Sequence, residues 1–82
     1  MVLHLGCDEF VPLKSVVAVL DAERSPGLLK DVRKKEAEGL PVRRIGREQT
    51  RSIVIVSSAG RRVFFLSPIS SDTLNKRVQS GF

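Results

Sequence analysis

The chain has no tryptophan and no tyrosine, one cysteine, one histidine and one methionine, Met1. Each scarcity closes a class of explanation. A single thiol, Cys7, cannot form an intrachain disulfide, so the disulfide-stapled secreted scaffolds are excluded and a reducing cytoplasm is the expected setting. A single imidazole, His4, leaves no second histidine to act as a base or metal ligand elsewhere. No apolar run approaches the roughly 20 residues of a membrane-spanning helix. The opening Met1-Val2-Leu3-His4-Leu5-Gly6-Cys7-Asp8 lacks the basic start and long apolar stretch of a signal peptide. A membrane partner is therefore not expected. Neither Gly-x-x-x-x-Gly-Lys-Ser/Thr nor Gly-x-Gly-x-x-Gly occurs, so no familiar phosphate loop is present, and no cofactor or small-molecule substrate is expected. Four phenylalanines are the only large aromatics, too few stacking platforms for a typical single-strand binder.

What is present fits one small globular domain over residues 1–82. A hydrophobic share of 41% with 28% charged residues argues against a disordered chain. A domain of this size buries only about 60% of the surface its unfolded chain exposes, and such domains often gain stability by oligomerising.

The charge is uneven. Fourteen Lys and Arg against nine Asp and Glu give +5 overall. Residues 1–41 carry −1, and residues 42–82 carry +6. Seven of the eight cations in the second half are arginines: Arg43, Arg44, Arg47, Arg51, Arg61, Arg62 and Arg77. Solubility alone is served by lysine, whereas the guanidinium fork matches phosphate and guanine edges. The pattern points to a polyanion, and duplex DNA suits it better than stacked single strands.

The order of elements reads β-β-β-α-β-β-β-α, an α+β, β-rich fold. Short strands are expected at Val2–Leu5 and Glu9–Val11, the second ended by Pro12. The run Val16-Val17-Ala18-Val19-Leu20 has the look of a strand covered on both faces. Ser25-Pro26 starts a helix, with serine as N-cap, and Gly39 ends it. Lys30, Arg33, Lys34 and Lys35 alternate there with Asp31, Glu36 and Glu38, as on a solvated helix face. Val42–Ile45 reads as a short strand, and a polar connection follows from Gly46 to Thr50. Ser52–Val56 and Val63–Leu66 make a hairpin about a turn at Ser57–Gly60, which sends Phe64 and Phe65 to opposite faces. Ser70 or Ser71 then caps a final helix.

His4, Cys7 and Asp8 are the one cluster of catalytic residue types. Positions 4 and 7 of a continuous strand face opposite sides, and two ligands do not complete a zinc site. Packing explains them better, so neither an enzyme nor a metal site is expected. The arginines offer more. Arg43 and Arg44 lie on a short strand, Arg47 and Arg51 bracket a loop, and Arg61 and Arg62 sit at a hairpin tip. If loop and tip project together, each subunit presents a compact cationic edge.

The words Leu3-His4-Leu5-Gly6, Val16–Asp21, Ser52-Ile53-Val54-Ile55 and Leu66-Ser67-Pro68-Ile69-Ser70-Ser71-x-Thr73-Leu74-x-Lys76-Arg77 resemble the bacterial Rem family of extracellular matrix regulators. The His-Leu-Gly start and the Ser-Pro-Ile-Ser-Ser ending are nearest its RemB-type branch. The resemblance implies a cytoplasmic, DNA-binding transcription regulator of biofilm-matrix genes, from spore-forming bacteria. It also implies a LytTR-like fold, a ring-shaped homo-oligomer and DNA wrapped around that ring. Family DNA contacts fall, by position, on Lys14, on Arg47 after Gly46 and on Arg51. A second loop arginine of the relatives is replaced here by Glu48, which repels phosphate, and Arg61 and Arg62 are the residues able to compensate. The alternative is a non-catalytic, oligomeric protein-interaction module without direct DNA binding; an RNA binder is disfavoured by the missing aromatics.

Overall fold

Strict alternation along two neighbouring segments organises the molecule. In the computed structural model, which describes residues 1–79, Ser52–Ser58 and Arg61–Ser67 pair as an antiparallel ladder with Ile53 opposite Leu66, Val54 opposite Phe65 and Ile55 opposite Phe64. Because side chains alternate across a strand, this ladder has two apolar faces, and both need cover. The remaining elements supply it.

In chain order these are β1 (Val2–Gly6), β2 (Glu9–Pro12), a 3-10 turn (Leu13–Ser15), β3 (Val16–Asp21), α1 (Pro26–Ala37), β4 (Val42–Arg44), β5 (Ser52–Ser58), β6 (Arg61–Ser67) and α2 (Ser71–Gln79). Strands β3-β5-β6-β4 form one sheet, and β1-β2 a separate hairpin. Strand β4 runs parallel to β6; the other pairings are antiparallel. One sheet face, with Val54, Val56 and Phe65, packs on Leu3, Leu5 and Val11 of the hairpin and on Leu74 of α2. The other, with Ile53 and Leu66, packs on Val32, Leu28 and Leu29 of α1. The result is a small α+β domain, mostly strands with two helices, in three layers. No helix among the described residues is long and apolar enough to cross a membrane.

Two buried serines tie the layers together. Ser52 and Ser67 face each other across the ladder, both fully buried. The Ser67 hydroxyl donates to the Leu5 carbonyl at 2.7 Å and accepts from the Ile69 amide at 3.1 Å. Ser52 Oγ donates to the Ile69 carbonyl at 2.7 Å. These bonds satisfy backbone groups that burial would otherwise leave without partners.

The element order agrees with the sequence reading, and several details differ. The Val16–Leu20 run is an edge strand bordered only by β5, and Val17 is 53% exposed, so it is not covered on both faces. β-branched composition reports a strand, not its place in the sheet. Pro12 lies within β2, paired with Val2; on an edge strand its missing N–H costs no ladder bond. The β5–β6 ladder extends to Ser58 and Arg61, leaving a two-residue turn in which Ala59 and Gly60 both have positive φ (51° and 77°). That is the backbone of a tight hairpin turn matched to the strand twist. Ser25 occupies the N-cap of α1, but its side chain makes no capping bond; its carbonyl accepts from Leu28 and Leu29. Gly39 follows α1 with φ +90°, as a helix-terminating glycine should. Ser70 is the residue that caps α2, its Oγ accepting from the Thr73 amide at 3.3 Å.

Candidate nucleic-acid interface

The cationic residues separate by sheet end and by sheet face. The β3–α1 turn, the β4–β5 connection and the Ser52/Ser67 end of the ladder lie together. The β5–β6 turn and the start of β3 lie at the other end. Six residue steps of strand, Ser52 to Ser58, separate the two, about 20 Å at roughly 3.4 Å per residue.

Arg47 is exposed in the connection that follows β4. Gly46 before it has φ +71°, and a Cβ there would stand 3.0 Å from Cys7 Sγ. The position thus needs glycine for its backbone and for the thiol packed beside it. Cys7 itself occupies the β1–β2 turn with Asp8, at φ 45° and 62°. The hairpin therefore braces the arginine-bearing loop from one side. His4 does not meet Cys7: its ring stacks on Phe10 at 4.7 Å, and its backbone carbonyl accepts from Arg77 at 2.9 Å. No group of three metal-ligating side chains occurs among the described residues.

Arg43 and Arg44 part company because they are neighbours on a strand. Arg43 turns to the hairpin layer and holds Glu9 at 3.2 Å. Arg44 turns to the α1 side and lines a cleft of about 390 Å³ with Arg33, Arg47, Glu23, Glu48 and Thr50. Arg33 came from what read as a solvated helix face. One turn of α1 carries it to the cleft beside Leu29, a placement only the packing of α1 on the sheet determines.

Arg51 borders the same end but is held. Its Nε donates to Glu23 at 2.6 Å, and this hydrogen bond, with the Glu23 charge, raises the guanidinium pKa above its ordinary value. Its backbone is fixed as well: the amide donates to the Ser67 carbonyl at 2.8 Å, and the carbonyl accepts from Ala22 at 3.1 Å. Glu23 is placed by the turn that Asp21 organises, whose carboxylate accepts from the Glu23 and Arg24 amides at 2.9 and 3.1 Å. This end therefore presents five guanidinium groups, from Arg24, Arg33, Arg44, Arg47 and Arg51, against three carboxylates, Asp21, Glu23 and Glu48, with Arg24 paired to Asp21 and Arg51 to Glu23.

The other three residues singled out from the sequence lie elsewhere. Lys14 is in the 3-10 turn before β3, exposed beside Met1 and Leu13. Arg61 and Arg62 open β6 at the β5–β6 turn. All three stand at the opposite end from Arg47, so loop and hairpin tip do not form one edge within a single chain. Antiparallel pairing fixes this: a strand that begins at a hairpin turn ends a full strand length away. Glu48 does line the cleft with Arg47, as its position in the loop implied.

The family model for RemA-like, extracellular matrix regulatory protein A-like, proteins matches residues 2–78. No curated protein and no solved structure matches.

Proposed function

The chain belongs to the RemA-like family, and from that premise we propose that it is a cytoplasmic transcription regulator that binds duplex DNA. The family's name carries an extracellular matrix regulatory role, which supports control of biofilm-matrix genes as part of this reading. The His-Leu-Gly start and Ser-Pro-Ile-Ser-Ser ending favour the RemB-type branch. No catalytic step enters this reading.

One observation carries it: Arg33, Arg44 and Arg47 converge on one cleft, and among the described residues none of them holds an ion pair. Unpaired guanidinium groups gathered at one end of the sheet suit phosphates spaced along a duplex, and a polar cleft that also holds Glu23 and Glu48 suits few base contacts. Arg51 joins them when Glu23 releases it. Lys14, Arg61 and Arg62 contact the same duplex only if it runs past both ends of the sheet. A chain of LytTR-like fold assembled in a ring achieves this by setting one subunit's Arg47 end beside its neighbour's Lys14 end.

Assembly is supported by apolar surface. Met1, Val2, Phe10 and Val17 are exposed by 84%, 49%, 55% and 53%, and Val2 and Phe10 share the outer face of the β1–β2 hairpin. Covering that face with a second copy would add burial that a chain this small needs. Arrayed subunits then gain affinity by engaging one DNA together.

Fluorescence anisotropy on a promoter-length duplex, over a salt series, tests the reading. Log affinity should fall linearly with log salt, with a slope of about −0.9 per neutralised phosphate. An oligomer that stays folded and shows no binding at low salt overturns it.

A further inference from the structure

A second cleft, of about 500 Å³, lies at the β5–β6 turn end, on the α1 side of the sheet. Its floor is apolar: the half-buried Phe64 ring, Pro41, and Leu40, itself 46% exposed. Its cations are Lys35, Arg61 and Arg62, and no carboxylate lines it. Elsewhere Arg24, Arg43 and Arg51 each hold an acidic side chain, whereas among the described residues these three cations hold none. The last turn of α1 borders the cleft, its Glu36 and Lys35 carbonyls accepting from the Gly39 and Leu40 amides at 3.0 Å.

An apolar floor next to unpaired arginines selects a ligand that is part hydrophobic and part anionic. Size narrows it further, because clefts of roughly 300 to 1,000 Å³ accommodate single small molecules. One aromatic ring offers one platform, which suits one base and not a tracked strand. The Arg62 guanidinium, on the same strand face as Phe64, with the Lys35 ammonium favours phosphate over a lone carboxylate. We propose that this cleft is a mononucleotide site, with Arg62 and Lys35 taking the phosphate, Arg61 at the rim, and Phe64 and Pro41 taking the base. The proposal does not depend on DNA binding at the Arg47 end, about 20 Å of strand away, and a nucleotide here competes with any duplex contact at Arg61 and Arg62.

Protein-observed NMR on the full chain, titrated with AMP, tests it, with inorganic phosphate, adenosine and octanoate as separate arms. AMP should shift the amides of residues 35–42 and 60–64, and phosphate or adenosine alone should bind at least ten-fold more weakly. Arg62→Ala should weaken AMP by about ten-fold, as loss of one charged hydrogen-bonding partner does, and Arg61→Ala by less. Both side chains are exposed, and an unchanged circular dichroism spectrum confirms that these variants fold. Arg47→Ala should leave AMP affinity unchanged while weakening DNA, which separates the two readings. Shifts confined to residues 44–51, or duplex DNA displacing AMP from residues 35–42 and 60–64, would show AMP acting as a DNA mimic and overturn the proposal. So would octanoate binding as well as AMP, AMP binding indifferent to Arg61 and Arg62, or a cleft occupied by a second copy, seen as no shift until the oligomer is dissociated.

Discussion

Replacing Glu23 by Gln should turn Arg51 from a held residue into a DNA contact. The carboxylate accepts from Arg51 Nε at 2.6 Å, so in the wild-type chain a phosphate has to compete with it. Glutamine keeps the shape and an acceptor oxygen but removes the charge. If Arg33, Arg44 and Arg47 each neutralise one phosphate, a subunit contributes a slope of about −2.7 in log affinity against log salt; freeing Arg51 takes this to about −3.6. Each further contact is worth about 3.5-fold in affinity between roughly 50 and 200 mM salt. The assay is anisotropy on one duplex with wild type, Glu23→Gln, Arg51→Ala and the double variant. Arg51→Ala should change the slope little in the wild type and by about 0.9 per engaged subunit once Glu23 is replaced. Equal effects of Arg51→Ala in both backgrounds would refute the restraint, and an unchanged slope in Glu23→Gln would remove Arg51 from the interface.

Arg47→Ala should lower the slope by about 0.9 per engaged subunit while thermal unfolding stays unchanged, since the side chain is exposed. Ser67→Ala strips the Leu5 carbonyl and the Ile69 amide of their partner, and urea unfolding should register a loss of about 1–3 kcal/mol. Gly46→Ala forces a side chain into φ +71° and costs about 1–2 kcal/mol from the backbone alone. The 3.0 Å approach to Cys7 Sγ adds to it, and Cys7→Ala in the same chain should recover only that added part. Leu74→Ala opens a cavity where α2 meets the core and should cost about 2–5 kcal/mol by the same unfolding assay.

The fold was legible in the sequence wherever pattern is local. The alternation of Ile53, Val54, Ile55 and Val56, the Ser25-Pro26 start and the Gly39 stop give the strand, the helix and its ends without reference to neighbours. What the pattern could not carry is arrangement. Val16–Leu20 is as apolar as a central strand, yet only the strand order puts it at an edge. The same limit applies to the site. Arg47 stood out beside Gly46, but Arg33 looked like any solvated helix cation, and its place at the cleft depends on how α1 lies across the sheet. Glu23 gave no signal, because its hold on Arg51 spans 28 positions of sequence. Arg61 and Arg62 were readable as a hairpin tip; which end of the sheet that tip occupies needed the register.

Strand β4 and the residue after it spell Val42-Arg43-Arg44-Ile45, a word with the same apolar–charged–charged–apolar pattern in either direction. Sliding it one step along β6 would exchange the faces of its two arginines and of its two aliphatic residues, leaving charge and hydrophobicity on each face nearly as before. The composition of the strand is therefore blind to its own register. Alignment is imposed from its ends, by the Phe64 amide on the Pro41 carbonyl, the Ile45 amide on the Leu66 carbonyl, and Gly46 seated against Cys7. Which arginine faces the cleft and which faces Glu9 is thus decided by two backbone bonds that flank the arginine pair, not by the arginines themselves.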